Sequence, residues 1–206
     1  FKRNKTVKNF YLDFNMNQED GKTVQFINEL EKFEESLIVS TEEGYYYPQI
    51  DEPIANIYIS STGGENRMAA IIYHFFNTSP FNYKFTVNGD FSSNAIFILL
   101  ALNPKHITIM RQCMSIIHLS NYNHPVSNIA VNNPSHASLN DYNDFKNYLN
   151  SMVNLFKIFL TKEELIIIRQ GGDVCLSAKR VVELFQQLKK SKKMQNKTKE
   201  LFEITL

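Results

Sequence analysis

Tryptophan is absent from this sequence and glycine is scarce, whereas Asn, Lys, Ile, Phe and Tyr are heavily used. Those common residues have AT-rich codons, which says something about the genome and nothing about the fold. A large charge of either sign is also missing. The 22 basic and 21 acidic residues leave a net charge of +1, so no global field points to nucleic acid or an anionic membrane. No apolar run approaches the length of a bilayer span. With 43% hydrophobic residues in 206 positions, the chain reads as a soluble globular protein with one sizeable core. The two cysteines, Cys113 and Cys175, have neither metal-ligand spacing nor a pairing pattern; two free thiols are expected, which suits a reducing compartment. There is no phosphate-loop motif, and the residues call for no metal or cofactor.

What is present is a succession of strand, turn and helix. Residues 7–14 alternate apolar and polar as a strand does, and residues 19–33 place Val24, Phe26, Ile27, Leu30 and Phe33 on one helical face. Residues 40–53 are polar and carry Gly44 and two prolines, which predicts a loop or insertion. A β-branched strand at 54–59 runs into Gly63-Gly64 and a helix over 66–76. The unit repeats with a strand at 83–87, a turn at Asn88-Gly89-Asp90, and a helix over 92–102 that is apolar nearly all round and therefore buried. Short strands follow at 106–110 and 115–119. Such alternation implies a layered α/β fold with parallel pairing. Residues 121–138 predict a long loop or arm. A long amphipathic helix comes next, with Tyr142, Phe145, Leu149, Met152, Val153, Phe156 and Leu160 on one face. Thr161 caps a further helix that Gly171-Gly172 ends. Ser177 opens the last helix, which runs into the basic stretch 189–193, read as a solvated helix end. Residues 201–206 read as a short strand.

Three strand ends carry the candidate chemistry: Gly63-Gly64, Ser92-Ser93-Asn94 and His118. Open α/β sheets bind ligands at carboxyl ends of strands. The N–H groups of Gly64 and Asn94, each at a helix start, suit an oxyanion hole. Ser93 suits a nucleophile and His118 its base. Singly, each is ordinary: a serine at a helix start is usually a cap, a histidine in an apolar strand is usually a hydrogen-bonded core residue, and Gly-Gly is usually a turn.

Their joint spacing is less ordinary. The sequence resembles the proteolytic subunit of the Clp protease, ClpP. That family reads Ser-Pro-Gly-Gly, then Gly-x-Ala-Ala-Ser-Met, then Met-Ile-His-Gln-Pro. This chain reads Ser61-Thr62-Gly63-Gly64, then Gly89-Asp90-Phe91-Ser92-Ser93-Asn94, then Ile116-Ile117-His118-Leu119-Ser120. Both intervals match without a gap, Leu176-Ser177-Ala178 matches the Leu-Ser-Ala that opens the family's last helix, and the helix from Tyr142 matches its handle helix. The resemblance spans roughly residues 7–188. It implies a ClpP/crotonase-type α/β fold of repeated ββα units with a protruding helical handle. The whole of 1–206 is then one domain, with its head in 1–120 and 161–206, its handle region in 121–160 and an insertion at about 40–53. It also implies heptameric rings, homomeric or mixed, that dock in pairs through their handles, the apolar face over 142–160 being a reasonable ring–ring contact. A Clp-class AAA+ chaperone would spend the ATP and feed in unfolded proteins.

The departures shape the functional expectation. Counting back from Leu176-Ser177-Ala178, the family's catalytic aspartate falls on Arg169, whose charge disfavours a protonated histidine. Asp173 stands nearby as a substitute if the loop around Gly171 shifts. Thr62, Asp90 and Phe91 replace the family's proline and small residues, and Pro125 interrupts the stretch after the histidine. These changes resemble the family's non-catalytic paralogue ClpR, known from plastids and cyanobacteria. The sequence therefore leads to a non-catalytic or weakly active ring subunit of a plastid-type (apicoplast) organelle. An active serine endopeptidase using Ser93 and His118 is the alternative, and a crotonase-like acyl-CoA enzyme a third reading.

Overall fold

The computed structural model describes residues 7–41, 44–46, 52–102, 104–119, 137–190 and 196. The expectations for residues 121–136, 191–195 and 201–206 lie outside them.

The first half is built on the alternation seen in the sequence. Strand β1 (Lys8–Leu12) buries Phe10 and Leu12 and turns Tyr11 outward. It pairs in parallel with β4 (Ala55–Ser61), where Tyr58 stacks on Tyr11 with ring centroids 5.4 Å apart. Helix α1 (Lys22–Glu35) lies between them in sequence and buries Phe26, Ile27 and Leu30. Strands β2 (Val39–Thr41) and β3 (Gly44–Tyr46) pair antiparallel, so part of the stretch expected to be loop is a small hairpin. Helix α2 (Asn66–Thr78) follows β4 and buries Met68, Ala69, Ala70 and Ile72.

Strand β5 (Tyr83–Phe91) pairs in parallel with β4. Asn88-Gly89-Asp90 does not turn, contrary to the sequence expectation. The chain stays extended to Phe91, and β5 carries the irregularity: from Ile59↔Val87 to Ser61↔Phe91 it advances four residues while β4 advances two, as at a bulge. Phe91 is wholly buried, and tertiary burial of that side chain outweighs the local turn preference. Helix α3 (Asn94–Ala101) follows, and its apolar side chains from Ala95 to Leu100 are buried, as its composition implied. Strand β6 (Ile107–Ile109) adds to β5 in parallel. Strand β7 (Met114–Ile117) meets β5 through one parallel pair, Asp90↔Met114.

The second half departs from parallel pairing. Helix α4 (Ala137–Phe159) drives its C-terminal turns into the core, where Met152, Leu155 and Phe156 are at most 1% exposed and Phe156 packs on Phe97 of α3. Leu149 and Val153, from the same predicted face, are half-buried. Helix α5 (Lys162–Arg169) starts at a capping box, the Thr161 hydroxyl accepting from the Glu164 N–H while the Glu164 carboxylate accepts from the Thr161 N–H. Strand β8 (Val174–Ser177) then runs antiparallel to β7, and helix α6 (Ala178–Lys190) closes the described chain. The sheet order is β1-β4-β5-β7-β8, with β6 on β5.

Cys113 is buried and Cys175 exposed, and neither is in a disulfide. Among the described residues no helix is long and apolar enough to cross a membrane.

Candidate functional site

Strand β5 ends at Phe91, and α3 begins at Asn94, so Ser92 and Ser93 make the whole junction. Ser93 carries φ 51°, ψ −128° and is the one non-glycine with positive φ among the described residues. Such backbone costs about 1–3 kcal/mol and persists only where its surroundings fix it. Three hydrogen bonds to two strands do so. The N–H of Ser92 donates to the Ser61 carbonyl at 3.0 Å, and that of Ser93 to the Ile116 carbonyl at 2.8 Å. The Ser92 hydroxyl accepts from the Ile116 N–H, also at 2.8 Å. Neither serine hydroxyl caps α3. Ser92 ties the junction to β7, and Ser93 is left to face the site, a sharp strand-to-helix turn of the kind that presents nucleophiles.

Gly63 packs against the back of this turn. A Cβ there would lie 2.7 Å from both the Ser92 carbonyl oxygen and the Ser93 Cβ. With φ 101° as well, the position admits glycine alone. Next to it, Asn94 Nδ2 donates to the Gly64 carbonyl at 2.6 Å and to Asn66 Oδ1 at 2.8 Å. This side chain holds the two helix starts together. The sequence reading used only the backbone of Asn94; an amide side chain at a helix start facing a Gly-Gly turn was the signal for its second role. No hydrogen bond within the described residues takes up the N–H of Gly64 or of Asn94.

His118 follows β7. Its Nε2 lies 2.9 Å from Ser93 Oγ, and its Nδ1 lies 3.3 Å from Asp173 Oδ1. The carboxylate beside the ring is therefore that of Asp173, and the placement of Arg169 at the acid position is corrected. The physical cause is the end of α5. The Gly172 N–H donates to the Ile167 carbonyl at 2.9 Å, and the Gly171 N–H to Ile168 at 3.0 Å. Gly171 takes φ 81°. This pair of bonds is a Schellman motif. It leaves Arg169 as the last helical residue and makes Asp173 the first residue free of the turn. The β7–β8 register then decides the partner: Ile117 pairs with Val174, and one further step sets His118 opposite Asp173. Counting from Leu176 without a gap assumed a different length for this turn.

With the imidazole neutral, Ser93 Oγ–H donates to Nε2 and Nδ1–H to the carboxylate, the arrangement of a general base that draws a proton from a hydroxyl. Among the described residues no cluster of His, Cys, Asp and Glu is disposed to hold a metal ion.

Ser93, His118 and Asp173 thus converge at one end of the mixed sheet, a geometry that serine hydrolases share. No family model and no curated protein matches the sequence. Among solved structures, a mutant of ClpP1 from Listeria monocytogenes superposes with a TM-score of 0.54 at 16% identity, covering 85% of this chain and 86% of that one. The fold is thus ClpP-like, with its α/β sheet and helices.

Proposed function

We propose that the chain is a Clp-type serine peptidase subunit working through Ser93, His118 and Asp173. One observation carries this reading: His118 stands between the Ser93 hydroxyl at 2.9 Å and the Asp173 carboxylate at 3.3 Å. The non-catalytic, ClpR-like reading drew first on Arg169, with Thr62, Asp90, Phe91 and Pro125 beside it, and it loses that first premise when a carboxylate faces the ring. An acyl-CoA enzyme would have no use for a serine–histidine pair so placed.

Ser93 Oγ attacks the scissile carbonyl carbon while His118 Nε2 takes its proton. Asp173 orients the ring and stabilises the imidazolium, and the N–H groups of Gly64 and Asn94 receive the oxyanion. Collapse of the tetrahedral adduct passes the proton from His118 to the leaving amine and leaves an ester on Ser93. Water, deprotonated by the same histidine, then hydrolyses the ester. The likeness to ClpP1 supports assembly into rings, homomeric or shared with other Clp subunits, fed with unfolded protein by a Clp-class AAA+ chaperone. An organelle of plastid type is the compartment we assign on the codon bias and the family resemblance.

The test is fluorophosphonate labelling of the purified protein together with turnover of short fluorogenic peptides, with Ser93→Ala as control. Stoichiometric labelling and turnover, both lost in the variant, are expected. A folded, ring-sized wild type that takes up no label would overturn the reading.

A further inference from the structure

A cleft of about 600 Å³ is bounded by α4, by the end of α5 and by Leu119. Its lining includes none of Ser93, His118 and Asp173, so what it binds is separate from hydrolysis. Helix α4 forms the long wall. Lys146 and Lys157 stand on it three turns apart, about 16 Å along the axis.

The charge of this lining is one-sided. Its ionised groups, on Lys146, Lys157 and Arg169, are all cations, and no carboxylate lies among them. The ion pairs of the described residues, His118–Asp173 and Arg180–Glu164, take up none of the three. Lys157 reaches a neutral partner, donating to Asn154 Oδ1 at 3.3 Å. Like charges around one concavity repel each other, and an anion entering it relieves the repulsion.

The rest of the lining selects the kind of anion. Leu149 and Val153 lie between the two lysines on α4, and Leu119 joins them; all three are half-buried. Asn150 and Asn154 add amides, which both donate and accept, as a peptide bond does and a phosphate chain does not. A bare polyanion would meet the cations and leave the aliphatic side chains in water. Carboxylates on a peptide, with an aliphatic residue between them, use the whole lining. An extended peptide rises about 3.3 Å per residue, so five steps cover the distance between the lysines.

We propose that this cleft docks an acidic segment of a partner polypeptide, with two carboxylates about five residues apart and aliphatic side chains between them. Lys146 and Lys157 hold the carboxylates, Arg169 adds to the field, and Leu119, Leu149 and Val153 contact the aliphatic side chains. The role is recruitment, distinct from cleavage at Ser93.

Binding to the folded Ser93→Ala protein tests it without hydrolysis. Fluorescent hexapeptides with glutamate at both ends and leucine within are titrated and followed by anisotropy. Saturable binding is expected. Exchanging both glutamates for glutamine should weaken it about tenfold, as should Lys146→Ala combined with Lys157→Ala, and the difference should shrink as salt rises. Both lysines are exposed, so these variants should fold as the parent does. Arg169→Gln alone should weaken binding about threefold, and serine in place of leucine about fivefold. No saturable binding up to about 1 mM would overturn the proposal, as would equal binding of the glutamate and glutamine peptides. Binding that the lysine and Arg169 variants leave unchanged would place the peptide elsewhere and overturn it too. Inorganic polyphosphate displacing a peptide whose leucines make no difference would replace it with a plain anion site. A lysine variant that sediments as a smaller species than its parent would put a second copy of this chain in the cleft, against the proposal. Labelling of Ser93 is read independently, so failure here leaves the peptidase reading standing.

Discussion

The two halves of the site are held in different ways. Ser93 is 9% exposed, strained, and held in a junction that hydrogen bonds pin to two strands, whereas the Asp173 side chain is 61% exposed and hangs from a glycine turn by a single 3.3 Å contact. Ser93 and Asn94 are buried in the body of the fold. The acid is delivered by a surface turn. A strained, buried half resists drift because most changes there disturb packing as well as chemistry, while an exposed half can change length and still bring a carboxylate to the ring.

The largest test of this contrast removes the acid's charge. Asp173→Asn should lower kcat by up to about 10⁴-fold, roughly 5.5 kcal/mol of barrier, as in the triad template, with little change in stability. A loss of less than about tenfold, measured with fluorogenic peptides, would mean that the exposed acid is dispensable and the contrast is one between working and idle halves. Gly63→Ala probes the opposite half. Its Cβ meets the Ser92 carbonyl and Ser93 Cβ at 2.7 Å, and a cost of about 1–3 kcal/mol in urea unfolding is expected, with probe labelling of Ser93 lost at the same time. Gly171→Ala puts a side chain at φ 81° with nothing within 4 Å of its Cβ. It should cost about 1 kcal/mol of stability, and it should slow turnover by loosening the turn before Asp173 while leaving Ser93 labelling measurable.

The smallest effect concerns the frame behind that turn. Burial pushes the Glu164 carboxyl up, but hydrogen bonds from Arg180 and the Thr161 backbone outweigh it and hold the group below the usual carboxylate range. A depressed folded-state pKa adds stability above the unfolded value and loses it as pH falls through the folded one. Glu164→Gln should therefore be less stable than the wild type near neutral pH, by less than about 1 kcal/mol, with the gap closing in acid. Thermal unfolding over a descending pH series checks this, and a gap that widens in acid would contradict it.

Much of the molecule was legible in its residues. Alternation gave β1, β-branched residues gave β4, the all-apolar stretch gave the buried α3, and Thr161 gave the cap of α5, because each is set by neighbours close in sequence. The intervals from Gly64 to Ser93 and from Ser93 to His118 brought the three strand ends together on paper, and the fold sets Ser93 and His118 2.9 Å apart. The turn expected at Asn88-Gly89-Asp90 was misread because burying Phe91 is a tertiary gain that no local preference reports.

The chain's own letters determined the strand–helix alternation, which follows from periodicity, and singled out Ser93 and His118 through the spacing that carries the family resemblance. Which acid meets the base was settled only in three dimensions. The Schellman turn and the antiparallel register of β7 and β8 carry Asp173 to His118 and leave Arg169 at the helix end, and a pairing register depends on where two distant segments dock.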